Sequence, residues 1–522
     1  MLERLSADKI YPDRPFLRDF LTGQGKAPRF LENASRGTSR VPGRAARIAR
    51  DDALLAALRR SNLAFGAGNA TLANVDALSS PTTLCIQTGQ QPGILGGPLF
   101  TAYKILTAIH TARDWADRLG VPVVPIYWLA SQDHDLSEVN SLHWLNNDGT
   151  VASAAFRGSE EGRRLDALPL SNDVLRLSSQ YFRGIVDRDA HHDPDSISRL
   201  FASVDSDTFC SWHARIQLRL YGDYGLVIVD PCALPPPVPF YRTALEEAKE
   251  IRHRVLEQCR NLEQAGYPAP FTSAQAGGLF VQDPSDRRVR ITDPGQAYPG
   301  LATHPSGFSP DAALRPLLAD WWFPTAIHVL GPGEIAYHSA LRTLYPVFGL
   351  DQPPALFRLS LSVLAQEDRS LIRDMGIPIE AAVSQGIRIQ DAGWHLAPGS
   401  LRTAWERHRN SIDASLEALS EEAREIDPGL ERSVGTTRGS VAHALERLES
   451  RMLRAVLARH GVPPASLSRL TSLLRPKDRP QERMLALPEL LVRHGPALID
   501  RMMNLEPWPV DCHAVMTVDE EA

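Results

Sequence analysis

The segment spanning residues 82–130 constrains the fold more tightly than any other part of this chain. TTLCIQTG (82–89) is rich in β-forming residues and closes on a glycine, and GQQPGILGGPLF follows it. From 101 to 119 the apolar residues Tyr103, Ile105, Leu106 and Ile109 recur with a helical period. VPVVPIYWLA (121–130) is then a continuous apolar run, the pattern of a strand buried on both faces. Strand, glycine-rich loop, helix and strand make one βαβ unit, whose strands pair in parallel through a right-handed crossover.

The same grammar recurs. YGDYGLVIVDP (221–231) carries a buried-strand core over 226–229, stopped by Asp-Pro. The proline-rich run 231–240 excludes regular structure, residues 246–264 read as a helix, and GGLFVQD and RRVRITD read as short strands. TAIHVLGPGEIAYHSALRTLYPVFG, from residue 325, repeats strand, glycine turn and helix. From about residue 400 the composition shifts to Glu, Arg, Ala and Leu. Ile412, Leu416, Leu419, Ala423, Ile426 and Leu430 alternate in steps of four and three, and after Asp427-Pro428-Gly429 the spacing resumes at Val441, Leu445, Leu448, Met452 and Ala455. That is the seam of a coiled coil, or else the apolar faces of an amphipathic helix pair packed on the core. Pro463 and Pro464 end it.

At 522 residues the chain exceeds what one hydrophobic core serves. A net charge of −6 gives no electrostatic footprint for nucleic acid or an anionic membrane, and the basic stretch over 36–50 is short and interrupted. Cys85, Cys210, Cys232, Cys259 and Cys512 are scattered, without a CxxC pair, which points to a reducing compartment. Charges fill the place of an apolar signal core near the N-terminus, and the run 121–130 is too short to span a bilayer. The expectation is a cytoplasmic enzyme, with no nucleic-acid or membrane partner.

Three places can carry chemistry. In TGQQPGILGGPLFTAYK, the residues Thr88, Gly89, Gln90, Gln91, Gly93, Gly96 and Gly97 lie between strand and helix, where backbone N–H groups and a helix N-terminus suit a phosphate or carboxylate. The spacing fits neither standard nucleotide fingerprint. Lys104 falls further along the helix, a surface position on this reading. Asp133, His134 and Asp135 follow the apolar strand, at the end where parallel sheets bind ligands. They could supply a general base, an orienting carboxylate or a helix cap, with alternation turning His134 away from the two acids. No Cys/His cluster stands at ligand spacing, so no metal is expected. Gly331 and Gly333 open a second turn, and Glu334 in its first helical turn either complements the helix dipole or holds a substrate amine or ribose hydroxyl.

Together, TGQQPGILGGPLFTAYK, IYWLASQDHDLSEV and VLGPGEIAYHSALRTLYPVFG resemble one family, the cysteine ligase of bacillithiol biosynthesis, BshC. Looser matches are YGDYGLVIVD, AGYPAPF before GGLFVQD, ALRPLLADWWFPT and RPKDRPQER. They stand in family order from about residue 80 to 485, and the flanks match poorly. Where the family shows Glu-Asp-His-Asp, this chain has Gln132-Asp133-His134-Asp135.

The resemblance implies an α/β fold with a Rossmann-like parallel-sheet core, inserted connecting segments and an α-helical coiled-coil arm that forms a homodimer. The expected division is a core over 1–398, an arm over 399–470 and a return segment over 471–522. The implied reaction adds cysteine to the amine of glucosaminyl-malate. Because an amide from a free acid is uphill in water, ATP or another activated donor is expected. The triplet would orient and deprotonate the amine, the 88–97 loop would hold an anionic group, and Gly331 to Glu334 would complete the pocket. The rival readings are another nucleotide-dependent α/β ligase or nucleotidyl-transfer enzyme, and a non-enzymatic coiled-coil scaffold with a vestigial binding core.

Overall fold

The structure is a computed structural model that describes residues 2–37, 51–146, 148–157, 162–185, 192–205 and 207–519. The basic stretch called at 36–50 lies outside them from residue 38 on. The chain divides into two compact units, the first comprising 1–144, 152–363 and 482–516, the second 145–151, 364–481 and 517–522.

The first unit is built on five parallel strands: β1 (Leu84–Gln90), β2 (Val123–Leu129), β3 (Val227–Val229), β4 (Thr325–Leu330) and β5 (Ala355–Phe357). Their order across the sheet is β5-β4-β1-β2-β3. Read from the other edge this is 3-2-1-4-5, the doubly wound order. β1 and β2 pair residue for residue, from Leu84 opposite Val123 to Gln90 opposite Leu129. β4 runs along the other side of β1, with His328 opposite Gln87.

The expected βαβ unit is present. Its crossover helix, α1 (Leu99–Leu119), ends at Gly120, which takes the left-handed conformation (φ 67°) that favours glycine. Ala108 and Ala112 pack with Leu84, Ile86, Val123, Ala326, Ile327, Val329 and Leu356 into a dry core. Burying each larger aliphatic side chain there contributes roughly 1.5–3 kcal/mol, which fixes the level of the sheet against its helix. Three further helices bear on the site: α2 (Phe209–Tyr221), α3 (Arg315–Trp322) and α4 (Pro332–His338). A separate antiparallel sheet joins Arg288–Arg290, Leu279–Gln282 and Phe308–Pro310. Leu2–Ser6 pairs antiparallel with Cys512–Val518, Leu2 opposite Met516 and Ser6 opposite Cys512.

The second unit contains two long helices, α5 (Gly399–Ile426) and α6 (Leu430–Arg459). The seam is therefore not one continuous helix. Asp427 closes the turn by accepting from the Gly429 amide at 2.7 Å, and Arg438 of α6 reaches Glu417 of α5 at 2.9 Å, so the helices form a hairpin within the chain. Residues 364–398, expected in the core, belong to this unit. The physical reason is local packing. Gly393 abuts Leu453 so closely that a Cβ would lie 2.7 Å from that side chain, and Trp394 donates to Glu449 at 2.9 Å.

Candidate functional site

A doubly wound sheet leaves a crevice where its strand order reverses, outside the carboxyl ends of the central strands. Here that point lies between β1 and β4. Thr88 closes the floor by donating to the Val329 carbonyl at 2.9 Å. Above it opens a cavity of about 1300 Å³, lined within the first unit by Thr88, Gly89, Gln90, Gln91, Asp133, His134, Asp135, Gly331, Gly333 and Glu334. Ten sequence-derived candidates thus converge on one cavity.

Lys104 joins them, against the expectation of a surface side chain. It is 2 % exposed because α1 is buried on this face as well. Its ammonium donates to the Gly89 carbonyl at 2.8 Å and to Gln90 Oε1 at 2.9 Å, and pairs with Glu334 at 2.6 Å. Burial draws the amine down from its ordinary range while Glu334 opposes the shift. Glu334 also accepts from the Gly331 amide at 2.7 Å, capping α4. One ion pair therefore ties the helices that follow β1 and β4 across the crevice.

Gly93, Gly96 and Gly97 are not in the cavity lining. They pack under α2: the His213 ring nitrogen Nδ1 lies 3.0 Å from both the amide nitrogen and the carbonyl oxygen of Gly93, and Gln217 donates to the Gly96 carbonyl at 3.2 Å. Gly96 and Gly97 adopt φ of 85° and 81°, and a Cβ on Gly93 would meet the Gly97 backbone at 2.8 Å. These glycines serve a tight turn. The amide of Leu99, the first residue of α1, donates to the Leu485 carbonyl at 2.8 Å. The expected anion cradle thus reduces to the first half of the loop, Thr88 to Gln91.

Asp133 is gripped rather than free. Arg315 donates to its Oδ2 at 3.0 Å, Gln91 at 3.2 Å, and Arg288 stands 3.7 Å from Oδ1. Burial alone would push this carboxyl up, but Arg315, the His134 contacts and Arg288 hold it far below the usual carboxylate range. A carboxylate so stabilised is a poor proton acceptor near neutral pH. Burial in turn pushes Arg288 down to about 10, with Arg315 adding repulsion. His134 Nδ1 lies 3.5 Å from Asp133, so the two do not point apart. Arg288 donates to that same nitrogen at 3.0 Å; guanidinium has no acceptor, so neutral His134 carries its proton on Nε2. Asp135 accepts from the Ser137 amide at 3.0 Å and hydroxyl at 2.6 Å, capping the short helical turn Leu136–Glu138.

Several lining residues carried no sequence signal of their own. Arg14, Arg157, Arg290, Arg358 and Arg483 add to Arg288, Arg315 and Lys104. Arg358, fully buried, pairs with Glu482 through both terminal nitrogens, at 2.6 and 3.0 Å. Arg290 pairs with Asp311 at 3.2 Å. Arg14, Arg157 and Arg483 make no ion pair within 4 Å among the described residues, although the Glu482 carboxylate attracts Arg483 from further away. His328 and His338 also line the cavity. His328 Nε2 lies 2.9 Å from Asp320 Oδ2, which Tyr345 approaches at 2.8 Å. Among the described residues no three His, Cys, Asp or Glu side chains are grouped to hold a metal ion, and no helix is long and apolar enough to cross a membrane.

Comparison with known proteins agrees with this architecture. Residues 4–359 match the family model described as the bacillithiol biosynthesis BshC N-terminal Rossmann-like domain, and residues 363–518 match the BshC C-terminal coiled-coil domain. The likeness thus extends well beyond the motif-bearing stretch 80–485. Among curated relatives, proteins named "Putative cysteine ligase BshC" are similar to this chain. The one from Geobacillus kaustophilus is 29% identical over 86% of this chain and 87% of its own length. Those from Geobacillus thermodenitrificans and Anoxybacillus flavithermus are 29% and 27% identical, covering 84% and 87% of this chain and 85% and 89% of theirs.

Proposed function

Because this chain belongs to the BshC family, we propose that it is a ligase joining the carboxyl group of cysteine to the amine of glucosaminyl-malate, forming the amide of bacillithiol in the cytoplasm. The observation that carries the reading is the arginine-rich cavity at the sheet's switch point. Its volume of about 1300 Å³ exceeds the usual range for a site holding one small ligand, so there is room for two substrates and an activating group. Its cations suit a substrate that bears two malate carboxylates.

Asp133, clamped by Arg315 and Arg288, forms a rigid polar post beside which His134 presents an Nε2–H donor. Gln90, Gln91 and Glu334 offer groups for the sugar hydroxyls and the amine. Arg14, Arg157 and Arg483 fit the phosphates of ATP, which when bound supplies the leaving group that makes the cysteine carboxyl reactive. Holding acid and amine side by side in the cleft is the protein's main contribution, since orientation alone removes several kcal/mol of barrier. We also propose that the helical hairpins pair two copies of the chain into a homodimer.

The test is direct. Purified protein incubated with cysteine, glucosaminyl-malate and ATP should yield a thiol with the mass of the amide product. The same mixture lacking ATP should yield none. No product with ATP or with any preactivated cysteine would end this reading in favour of another amine acceptor or a scaffold.

A further inference from the structure

The proposed ligation, on which this inference rests, needs a proton acceptor, because an amine attacks only after losing its ammonium proton. The triplet after β2 supplies a poor one. Asp133 is held ionised by two arginines, Asp135 is spent on a cap, and the His134 lone pair at Nδ1 is engaged by Arg288. The cavity holds another histidine in the opposite setting. We propose that His328, oriented by Asp320, is the base that takes the proton from the substrate amine.

His328 is the polar residue within the apolar stretch 326–330 of β4 and lines the cavity together with Leu330 and Gly331. Its Nε2 is 2.9 Å from Asp320 Oδ2, and both side chains are only 4 % exposed. A carboxylate accepts and cannot donate, so Nε2 carries the proton and Nδ1 keeps its lone pair. Among the described residues no group bonds to Nδ1. Asp320 gains from a cationic neighbour, since Tyr345 also donates to Oδ2 while Oδ1 is buried without a partner. Charge on the imidazole thus fills an unmet demand, whereas charge on His134 would face a guanidinium.

The other titratable groups around His328 are few. His338 on α4 stands with its ring 5.1 Å away, burial keeping it neutral well below the ordinary histidine range. Lys104 on α1 is paired with Glu334 on α4. Cys85 on β1 lies near Asp320, its thiol pushed up by burial and by that carboxylate.

In the step, one N–H bond of the ammonium breaks and its proton joins Nδ1, leaving the electron pair on nitrogen. That pair forms the C–N bond as the acyl carbon releases its leaving group with the bonding electrons, and the nitrogen gives up its second proton to the departing group, leaving the neutral amide. Asp320 stays ionised and pairs with the imidazolium, which returns its proton to water in the cavity.

Two measurements test this on the full chain. The first needs no substrate: nitrogen-15 histidine spectra should give His328 as the Nε2-protonated tautomer, converted or mixed in Asp320→Asn. A His328 found protonated on Nδ1 at neutral pH would overturn the proposal. The second uses product formation by the wild type, so that a failed ligation reading is seen first and separately. His328→Gln should fold normally and lose at least about 100-fold in kcat, with little change in KM. Its residual rate should climb tenfold per pH unit toward the pKa of the free amine, where the wild-type rate is flat. Asp320→Asn should lose rate in the same sense and serves if His328→Gln does not fold. Turnover within threefold of wild type with an unaltered pH profile, in either folded variant, would overturn the assignment.

Discussion

Lys104 and Glu334 make the tightest link across the crevice, and the two ends of that link are unequal. Lys104 is buried while the Glu334 side chain is 23 % exposed, so removing the carboxylate strands an ammonium, whereas removing the amine leaves an acid that water can reach. Glu334→Gln should therefore cost roughly 3 kcal/mol in urea unfolding, and Lys104→Met clearly less. The double variant should recover much of the loss, and strict additivity of the two single effects would show that the pair is not coupled. This pair also marks how far the site was legible. Glu334, Asp133 and the 88–91 stretch stood out because each follows a strand whose apolar run announces it. Lys104 did not, since whether a lysine on an amphipathic helix is buried depends on which element covers it, and the cover comes from a strand and turn more than two hundred residues away. Arg288, Arg315 and Arg358 were hidden for the same reason. His328 left one usable trace: a polar residue within the apolar run AIHVL, preceded by an aspartate in LADWW.

At the scale of elements, periodicity carried the expectations well where a segment packs by its own pattern. The βαβ unit is present, and so is the later strand–turn–helix repeat, though its helix is short and stops at His338. What periodicity lacks is neighbour information. The order β5-β4-β1-β2-β3 follows from two long crossovers that each pass through several helices, and no local pattern encodes which strand the chain returns to. The arm shows the limit from another side. Steps of four and three are perturbed at Asp427-Pro428-Gly429 and resume at Val441, and there the proline and the Asp427 cap break the helix and fold it back. Both halves still leave apolar side chains outside: Leu419 is 50 % and Leu448 49 % exposed after the hairpin has closed. A second copy of the arm is the partner proposed for them. Light scattering should therefore give twice the 57.5 kDa chain mass. Leu419→Asp with Leu448→Asp should halve the measured mass without lowering helical ellipticity. A double variant that stays dimeric would place the contact elsewhere, and a monomeric wild type would remove the dimer from the proposal.

The molecule as a whole distributes its buried titratable groups unevenly, and acid should reveal it. His213 and His513 belong to the first unit, and burial pushes each from 6.5 down to about 4. His213 sits between Gly93 and Tyr127, whose hydroxyl is 2.9 Å from Nε2, and His513 lies between Ser360 at 2.8 Å and Ser362 at 3.0 Å. Above pH 6.5 both are neutral, folded or unfolded, and contribute no pH dependence. As pH falls below 6.5 the unfolded chain takes up their protons while the folded chain refuses them until about 4, so folding loses stability across that window. Each pKa unit is worth about 1.4 kcal/mol, which puts the loss on the order of 3 kcal/mol per histidine by pH 4. Glu482 acts later and with a different origin. Burial raises its pKa, Arg358 more than reverses this, and the carboxyl ends at about 2 against an ordinary 4.5. Its contribution is whole above 4.5 and is lost only as pH drops from there toward 2. Unfolding at pH 7, 5.5 and 4.5 should therefore show a core transition that moves steeply to lower urea. His213→Gln and His513→Gln should each flatten the core's response in part, the remainder including His338, which burial likewise holds well below the ordinary histidine range. A core midpoint that stays put between pH 7 and 4.5 would mean that these imidazoles are protonated in the folded state, and that the packing around Gly93 and Ser360 tolerates a charge.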